Sequence, residues 1–296
     1  MNRETKISSG GRNEKVADML LNRLLPNEQI TKVGPFVFLG HVYPILIQRQ
    51  EPQPYRGQYA HPSRGIITLD YVLSGSLQYV DSHHHSGIIE SGGVFWRNTG
   101  NGIIHDERPS PGLLQKGGIL HIVQFWINLP GINKRENPKF QALPAQDIPE
   151  LELPDNAGVL KVLLGSCGVL RSPLKIYLHE FIFHIRLNPK SSLSYPTKQD
   201  IEYAVFVPGD DIRINDKLIG KSHLLVCSQD DSAIQFYNPR ISIADVFLFG
   251  GQEYLEPIVI GGPFVMNSRS EIAQAYGDFF AGRYGELIKG VINQSL

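Results

Sequence analysis

A histidine and a carboxylate lie two residues apart in the stretch "GNGIIHDERP". On an extended strand His105 and Glu107 point to one side while Asp106 points to the other. His61, from a neighbouring strand, would complete a set of two histidines and one carboxylate, which leaves positions open on ferrous iron for oxygen and substrate. The ordinary alternative is a solvated strand end at which Glu107 pairs with Arg108.

Other chemical motifs are weaker or missing. The triplet His83-His84-His85 falls between two short β-type runs, which indicates a water-exposed hairpin loop with adventitious metal binding at most. The sequence has no G-x-S-x-G elbow, no Walker glycine-lysine motif and no C-x-x-C pair. Hydrolase and nucleotide-binding functions therefore lack their usual support.

The elements that would position these side chains are mostly strands. The chain has 29 glycines and 20 prolines, and its apolar residues fall in short runs between turn residues. In "GIITLDYVLSGSLQYVDS" two such runs flank Ser74-Gly75, which predicts a hairpin. The second half repeats this rhythm and suggests an internal duplication, although any antiparallel barrel has similar spacing. Residues 134–156, rich in Pro, Asn and Gln, indicate a linker or a long crossing loop.

Two helices are predicted. In "NEKVADMLLNRLL" the side chains of Val16, Met19, Leu20 and Leu24 share one stripe of a helix. In "SRSEIAQAYGDFFAG" Ser268 is the candidate N-cap, Glu271 its capping-box partner and Gly282 the stop.

Length and composition limit the classes of function. The 296 residues fit one large domain or two smaller ones, and two are expected. A net charge of −1 with no basic block predicts no direct nucleic-acid or membrane-surface partner. Cys167 and Cys227 lie far apart in apolar runs, and neither a signal segment nor a run of about 18 apolar residues is present. We therefore expect a soluble, cytoplasmic protein.

Four long blocks, together with their order and spacing, resemble those of the pirin family. They are "HPSRGIITLDYVLSGSLQYVDS", "SGIIESGGVFWRNTGNGIIHDE", "VQFWINLP" and "EPIVIGGPFVMNSRSEIAQAYGDFFAGRYG". The resemblance runs from about Val33 to Gly285 and implies a bicupin, an all-β fold of two jelly-roll β-barrels with a few short helices. The implied divisions are an amino-terminal extension or helix (1–32), an amino-terminal cupin domain (33–135), a linker (136–158) and a carboxy-terminal cupin domain with a terminal helix (159–296).

The resemblance also implies a metal, commonly iron, in the amino-terminal barrel and none in the other. The family's ligands are three histidines and a glutamate. His61, His105 and Glu107 match three of them, and Ser63 stands at the fourth position, where the family has histidine. Serine is a poor ligand, so we expect Fe(II) or another divalent ion to bind with reduced affinity or not at all. The match places Gln124 near the metal pocket, although it could equally form a hydrogen bond across the barrel.

Two activities are associated with pirin-like proteins. One is a quercetin 2,3-dioxygenase-like activity that opens flavonols, with Glu107 as the carboxylate that takes the substrate's proton. The other is a non-enzymatic role in which the protein binds transcription factors or metabolic enzymes according to the state of its metal. A third possibility is a metal-free barrel, because Ser63 replaces a ligand. The expected partner is thus a small aromatic substrate or another protein.

The settings of the two cysteines give a first prediction. Because neither is expected to form a disulfide, thiol titration of the denatured, unreduced chain should find two free thiols. Finding none would contradict the reduced state.

Overall fold

The structure is a computed structural model that describes residues 5–16, 19–51, 57–227 and 233–287 of the chain. Strands make up most of its regular structure. Those of the first half are β1 (Thr5–Ser9), β2 (Arg12–Val16), β3 (Met19–Leu25), β4 (Phe36–Ile47), β5 (His61–Ser63), β6 (Ile66–Ser74), β7 (Ser76–Asp81), β8 (Ser86–Glu90), β9 (Val94–Asn98), β10 (Ile103–Pro109), β11 (Gly118–Asn128), β12 (Lys139–Leu143) and β13 (Glu150–Glu152).

The remaining strands are β14 (Gly158–Leu164), β15 (Ser166–Cys167), β16 (Leu170–Arg171), β17 (Phe181–Leu187), β18 (Ser192–Tyr195), β19 (Ile201–Val207), β20 (Ile212–Ile214), β21 (Lys217–Ile219), β22 (His223–Cys227), β23 (Ile234–Tyr237), β24 (Ala244–Gln252), β25 (Val259–Gly261) and β26 (Phe264–Met266). The α-helices are α1 (Pro111–Lys116) and α2 (Arg269–Phe280), and short 3-10 helices cover Gly131–Arg135, Ala145–Asp147 and Pro154–Asn156. The all-β prediction is confirmed.

The chain divides into two compact units. The first unit comprises Lys15–Leu20, Val42–Ala145 and Leu255–Leu296, and the second comprises Met1–Glu14, Leu21–His41 and Gln146–Tyr254. The division differs from the predicted boundaries, because the carboxy-terminal segment with α2 belongs to the first unit. The predicted linker also forms structure: β12 pairs with β9, and β13 pairs with β14.

The predicted amino-terminal helix is wrong. The described residues of that stretch form β2 and β3, and Ala17 and Asp18 lie outside the described residues. Leu24 is buried, whereas Val16 and Leu20 of the same helical stripe are exposed. Apolar residues at mixed spacings fit a strand as well as a helix, and sheet pairing decides between them.

The two units repeat one strand arrangement, as an internal duplication would produce. The first unit has a four-stranded sheet in the order β5-β10-β7-β8, and its other sheet contains the run β9-β6-β11-β4. The second unit has β18-β23-β20-β21 and β22-β19-β24-β17, so each strand number rises by thirteen. Gly75 is a sharp turn with φ +86°, but β6 and β7 on either side of it lie in different sheets. Ser74-Gly75 is therefore a crossing between sheets and not the predicted hairpin.

The interiors of the two units differ. In the second unit one apolar cluster draws on both sheets, with Phe183, Val205 and Leu248 from one sheet and Ile214 and Phe236 from the other. Burial of such side chains stabilises the fold in proportion to the apolar area removed from water. The first unit instead holds charged and polar side chains between its sheets, and these form the candidate site.

Helix α2 begins and ends where the sequence predicts. Ser268 is its N-cap and its hydroxyl accepts a hydrogen bond from the Glu271 backbone N–H at 3.2 Å. The Glu271 carboxylate accepts from the Asn267 N–H at 2.9 Å, and Gly282 follows the helix with φ +72°. These local bonds satisfy backbone groups that a helix end leaves unpaired.

The strand that carries Ser63 ends in a tightly held turn. Gly65 has φ +82°, and a Cβ there would lie 2.1 Å from the Val265 carbonyl oxygen, so no other residue fits. Buried Lys134 donates from Nζ to the carbonyl oxygens of Gly65 and Val265, both at 2.8 Å, and to the Asn128 side chain. Its ammonium group therefore joins three segments of the first unit next to the site.

Cys167 is half-buried and Cys227 is buried, and both are free cysteines. Within the described ranges, no helix combines the length and the apolar character needed to cross a membrane.

Lys134→Met should destabilise the first unit strongly, because three buried acceptors lose their donor. We expect a loss of about 3 kcal/mol or more in the free energy of unfolding. Urea denaturation followed by tryptophan fluorescence measures it, since Trp96 and Trp126 are the two tryptophans and both lie in the first unit.

Lys139→Met is the matched control, because Lys139 is half exposed and pairs with Glu136 at 3.3 Å on the surface. Its loss should cost at most about 1 kcal/mol. Equal effects of the two substitutions would contradict a structural role for Lys134.

Candidate functional site

Two antiparallel strands of the first unit bring the predicted site residues together. His61 and Ser63 lie on β5, His105 and Glu107 lie on β10, and His105 is directly opposite His61 in the register. The ligand atoms of His61, His105 and Glu107 all lie within 4.8 Å of one another. The structure thus gathers the two histidines and the carboxylate as the spacing predicts.

His105 is buried and hydrogen-bonded through both ring nitrogens. Its Nδ1 lies 2.7 Å from Glu107 Oε1, and its Nε2 lies 2.8 Å from Ser63 Oγ. A carboxylate can only accept, so Nδ1 carries the proton. Burial lowers the pKa of His105 to about 4, and the neutral ring therefore accepts the Ser63 hydroxyl at Nε2.

His61 is oriented by the backbone. Its Nδ1 donates to the Tyr59 carbonyl oxygen at 2.9 Å, and its ring centre lies 4.2 Å from that of His105. A histidine that donates one N–H to a carbonyl presents its other nitrogen as a ligand atom, as metal-binding histidines do. His61 is also the more exposed of the two rings.

A buried arginine that the sequence analysis missed lies behind the carboxylate. Arg97 on β9 is 1% exposed, and its guanidinium donates to Glu107 Oε1 from Nη1 and to Asp70 Oδ2 from Nη2. Nε donates to Thr68 Oγ1 at 2.6 Å, and the guanidinium carbon lies 5.0 Å from the centre of the Tyr79 ring. This side chain joins β9 and β6 of one sheet to β10 of the other.

The charge of Arg97 determines the state of Glu107. Burial alone would raise the pKa of Glu107, but the nearby guanidinium and the His105 N–H together hold it well below its ordinary value. Glu107 is therefore ionised at any physiological pH.

Gln124 belongs to the layer behind the arginine. It is directly opposite Asp70 in the register of β11 and β6, and its side-chain amide donates to Asp70 Oδ1 at 2.6 Å. Trp126 Nε1 donates to Gln124 Oε1 at 3.3 Å. The side chain thus forms a hydrogen bond to the neighbouring strand and orients the carboxylate that holds Arg97.

Arg108 and the histidine triplet have partners outside the donor set. The alternative ion pair of Arg108 with Glu107 does not form, because Arg108 Nε donates to Gln78 Oε1 at 3.1 Å and Arg97 pairs with the carboxylate instead. The histidine triplet lies in the turn between β7 and β8, where His85 Nδ1 lies 2.9 Å from Asp81. That turn belongs to no group of three potential metal ligands among the described residues.

A pocket of about 230 Å³ in the first unit reaches the site at Glu107. Its apolar wall consists of Met19, Ile45, Ile47, Pro109, Pro111 and Leu114. Polar groups also line it, among them Gln58, Tyr59, Gln78 and Arg108. An apolar cavity with a few placed polar groups is typical of a small-molecule site.

The donor set fits a divalent transition metal, with two features that weaken it. Two imidazoles and a carboxylate within 4.8 Å of one another are suitable ligands. However, the Ser63 hydroxyl is hydrogen-bonded to His105 Nε2 at 2.8 Å, and Glu107 already forms an ion pair with the Arg97 guanidinium. A metal would have to displace the first contact and compete with the guanidinium for the carboxylate.

Asp70 and Arg97 both stand out in the sequence. Each is a single charge within an otherwise apolar strand, in "IITLDYV" and "VFWRN". Charged residues are almost never fully buried unless they are paired, so two opposite charges in two core strands indicate an internal ion pair.

Comparisons with known proteins agree along the chain. The pirin family model matches residues 18–127, and the model of the pirin C-terminal cupin domain matches residues 182–285. A Pseudomonas aeruginosa protein named provisionally as a quercetin 2,3-dioxygenase is 32% identical over 257 residues, which are 85% of this chain and 87% of that protein. Pirin-1 of Arabidopsis thaliana is 32% identical over 230 residues, 76% of this chain and 77% of that protein.

Solved structures share the fold. A quercetin 2,3-dioxygenase from Acinetobacter baumannii superposes with a TM-score of 0.88 at 24% identity, covering 97% of this chain and 100% of its own. A bacterial pirin from Escherichia coli, solved in complex with nickel(II), gives a TM-score of 0.63 at 16% identity and covers 82% of this chain and 96% of its own.

Ser63→His should tighten metal binding, because a side chain at position 63 already contacts the ring of His105. A fourth strong ligand should raise the affinity at least tenfold, about 1.4 kcal/mol. Calorimetric titration of untagged apo protein with nickel(II) or ferrous ion, alongside His105→Ala as the loss-of-ligand variant, measures the change. If Ser63→His binds no tighter than wild type, the ligand assignment is wrong.

Proposed function

The chain belongs to the pirin family, and from that premise we propose that its first unit is a metal-dependent oxygenase that opens a flavonol-like aromatic ring. One observation carries the proposal: Glu107 is both a member of the donor set and part of the pocket wall. A small molecule in the pocket therefore contacts the same carboxylate that a metal would use. The quercetin 2,3-dioxygenase names of relatives supply the substrate class.

His61, His105 and Glu107 would hold the metal. When bound, the metal would act as a Lewis acid with open positions for a substrate's hydroxyl and ketone oxygens. Ferrous iron is the proposed ion, and the nickel(II) complex of a bacterial pirin supports a divalent metal in this fold.

The pocket residues bind and orient the substrate. Apolar side chains such as Ile45, Ile47 and Leu114 exclude water from the faces of an aromatic ring. The Arg108 guanidinium and the Gln78 amide, fixed to each other at 3.1 Å, offer hydrogen bonds to phenolic oxygens. Such placed polar groups determine which face of a polyphenol enters first.

Glu107 also accepts the proton that leaves the substrate's hydroxyl. Its carboxylate is ionised and lies at the wall of the pocket, so it is in the required protonation state before the substrate arrives. The guanidinium of Arg97 makes Glu107 a weak base, so the proton transfer depends on a bound metal, which would lower the pKa of the substrate's hydroxyl.

Quercetin turnover tests the proposal. The absorbance of quercetin should fall only when the protein is iron-loaded and oxygen is present, and Glu107→Gln should reduce the rate at least about a hundredfold because it removes the proton acceptor. Glu90→Gln, on the exposed end of β8, is the matched control and should leave the rate unchanged.

Two outcomes would count against the proposal. A Glu107→Gln rate equal to that of wild type would place the reaction elsewhere. No turnover by an iron-loaded wild type that is shown to hold its metal would exclude flavonols as substrates.

A further inference from the structure

The buried arginine changes what the donor set can do with a metal. The guanidinium of Arg97 donates to Glu107 Oε1, the same oxygen that lies 2.7 Å from His105 Nδ1. One oxygen of the only carboxylate among the candidate ligands thus accepts from two donors, one of them a full positive charge. A divalent cation at Glu107 would meet that charge in a poorly solvated interior, where repulsion is weakly screened.

We infer that Arg97 is an internal cation that competes with a divalent metal for Glu107 and thereby sets the metal affinity of this site. The inference rests on the metal site of the proposed function. In the metal-free state the guanidinium neutralises Glu107. With a metal bound, the Glu107 carboxylate would be its ligand. Arg97 would then keep Asp70 and Thr68 as its hydrogen-bond acceptors.

Those other partners make the exchange possible. Asp70 accepts from Arg97 Nη2 and Thr68 accepts from Nε at 2.6 Å, so the guanidinium keeps a counter-ion when Glu107 turns away. Gln124 holds Asp70 in place from the neighbouring strand at 2.6 Å. An arginine with Glu107 as its single carboxylate could not release it without leaving a bare buried charge.

The charges of the cluster favour a cation without requiring a divalent one. The cluster holds two carboxylates, those of Asp70 and Glu107, against one guanidinium, that of Arg97. The excess carboxylate attracts a metal, while the guanidinium next to Glu107 opposes its approach. Removing the guanidinium and one carboxylate together isolates the second effect, because the net charge stays the same.

The double variant D70N/R97M makes that isocharge change. Nickel(II) chloride titrated calorimetrically into untagged apo protein should bind it at least tenfold more tightly than wild type, since changes behind a metal ligand commonly shift affinity ten- to a hundredfold. Nickel should also raise the thermal midpoint of the double variant more than that of wild type. The second readout follows from linkage between binding and folding and needs no activity.

D70N alone provides the opposing arm and keeps Arg97. Without Asp70 the guanidinium has Glu107 as its remaining carboxylate and should hold it more firmly, so nickel should bind more weakly than to wild type. D70N also removes the excess carboxylate, so weaker binding agrees with the inference but only the double variant isolates the guanidinium. Tighter binding by D70N would overturn the inference even if the double variant does not fold. Tryptophan fluorescence from Trp96 and Trp126 reports the folded state of the first unit in each protein.

The nickel titrations and the quercetin assay together distinguish failure of the inference from failure of the proposed function. Tighter binding by D70N/R97M with weaker binding by D70N supports the competition. A double variant that binds no tighter than wild type, or a D70N that binds more tightly, overturns it. If no variant binds nickel, Ser63→His included, both the inference and the proposed function fall. If nickel binds as expected but quercetin is not consumed, the proposed function alone fails.

Discussion

A guanidinium with almost no contact with water has to be neutralised where it lies, and this constraint organises the first unit. Arg97 on β9 requires carboxylates within reach, and it obtains one from β6 and one from β10. The two sheets of the unit are therefore joined by charge as well as by apolar contact. Losing Arg97 itself would leave two buried carboxylates without their counter-ion, which is far more costly than losing a surface ion pair.

The same interaction separates two tasks that a metal site often combines. A metal held by side chains from two strands can stabilise a fold, because its ligands repel one another without it. Here Glu107 has a cation of its own, and His105 has the Ser63 hydroxyl, so the apo site is already paired. A metal bound here would therefore not be needed to hold these side chains together.

The sequence predicted what depends on local spacing and missed what depends on register. His105 and Glu107 share a face because they are two apart on a strand, and Ser268 caps α2 because its partner is three residues away. Arg97 meets Glu107 only because two sheets face each other, and no spacing within one segment encodes that contact. The predicted amino-terminal helix was wrong for the same reason, since β2 and β3 are strands because they pair within a sheet. The family resemblance supplied the two-barrel fold, which periodicity alone left open.

The repeated strand order gives one polypeptide two versions of the same architecture. The second unit has an apolar interior in which residues such as Phe236 and Leu248 fill the space between the sheets. The first unit has a buried ion pair in the corresponding place. Well-packed apolar residues are commonly as stabilising as a buried ion network or more so. In the second unit the space between the corresponding sheets holds an apolar cluster instead. The buried ion pair of the first unit is therefore not required by the strand order, and a chemical role explains it better than a stabilising one.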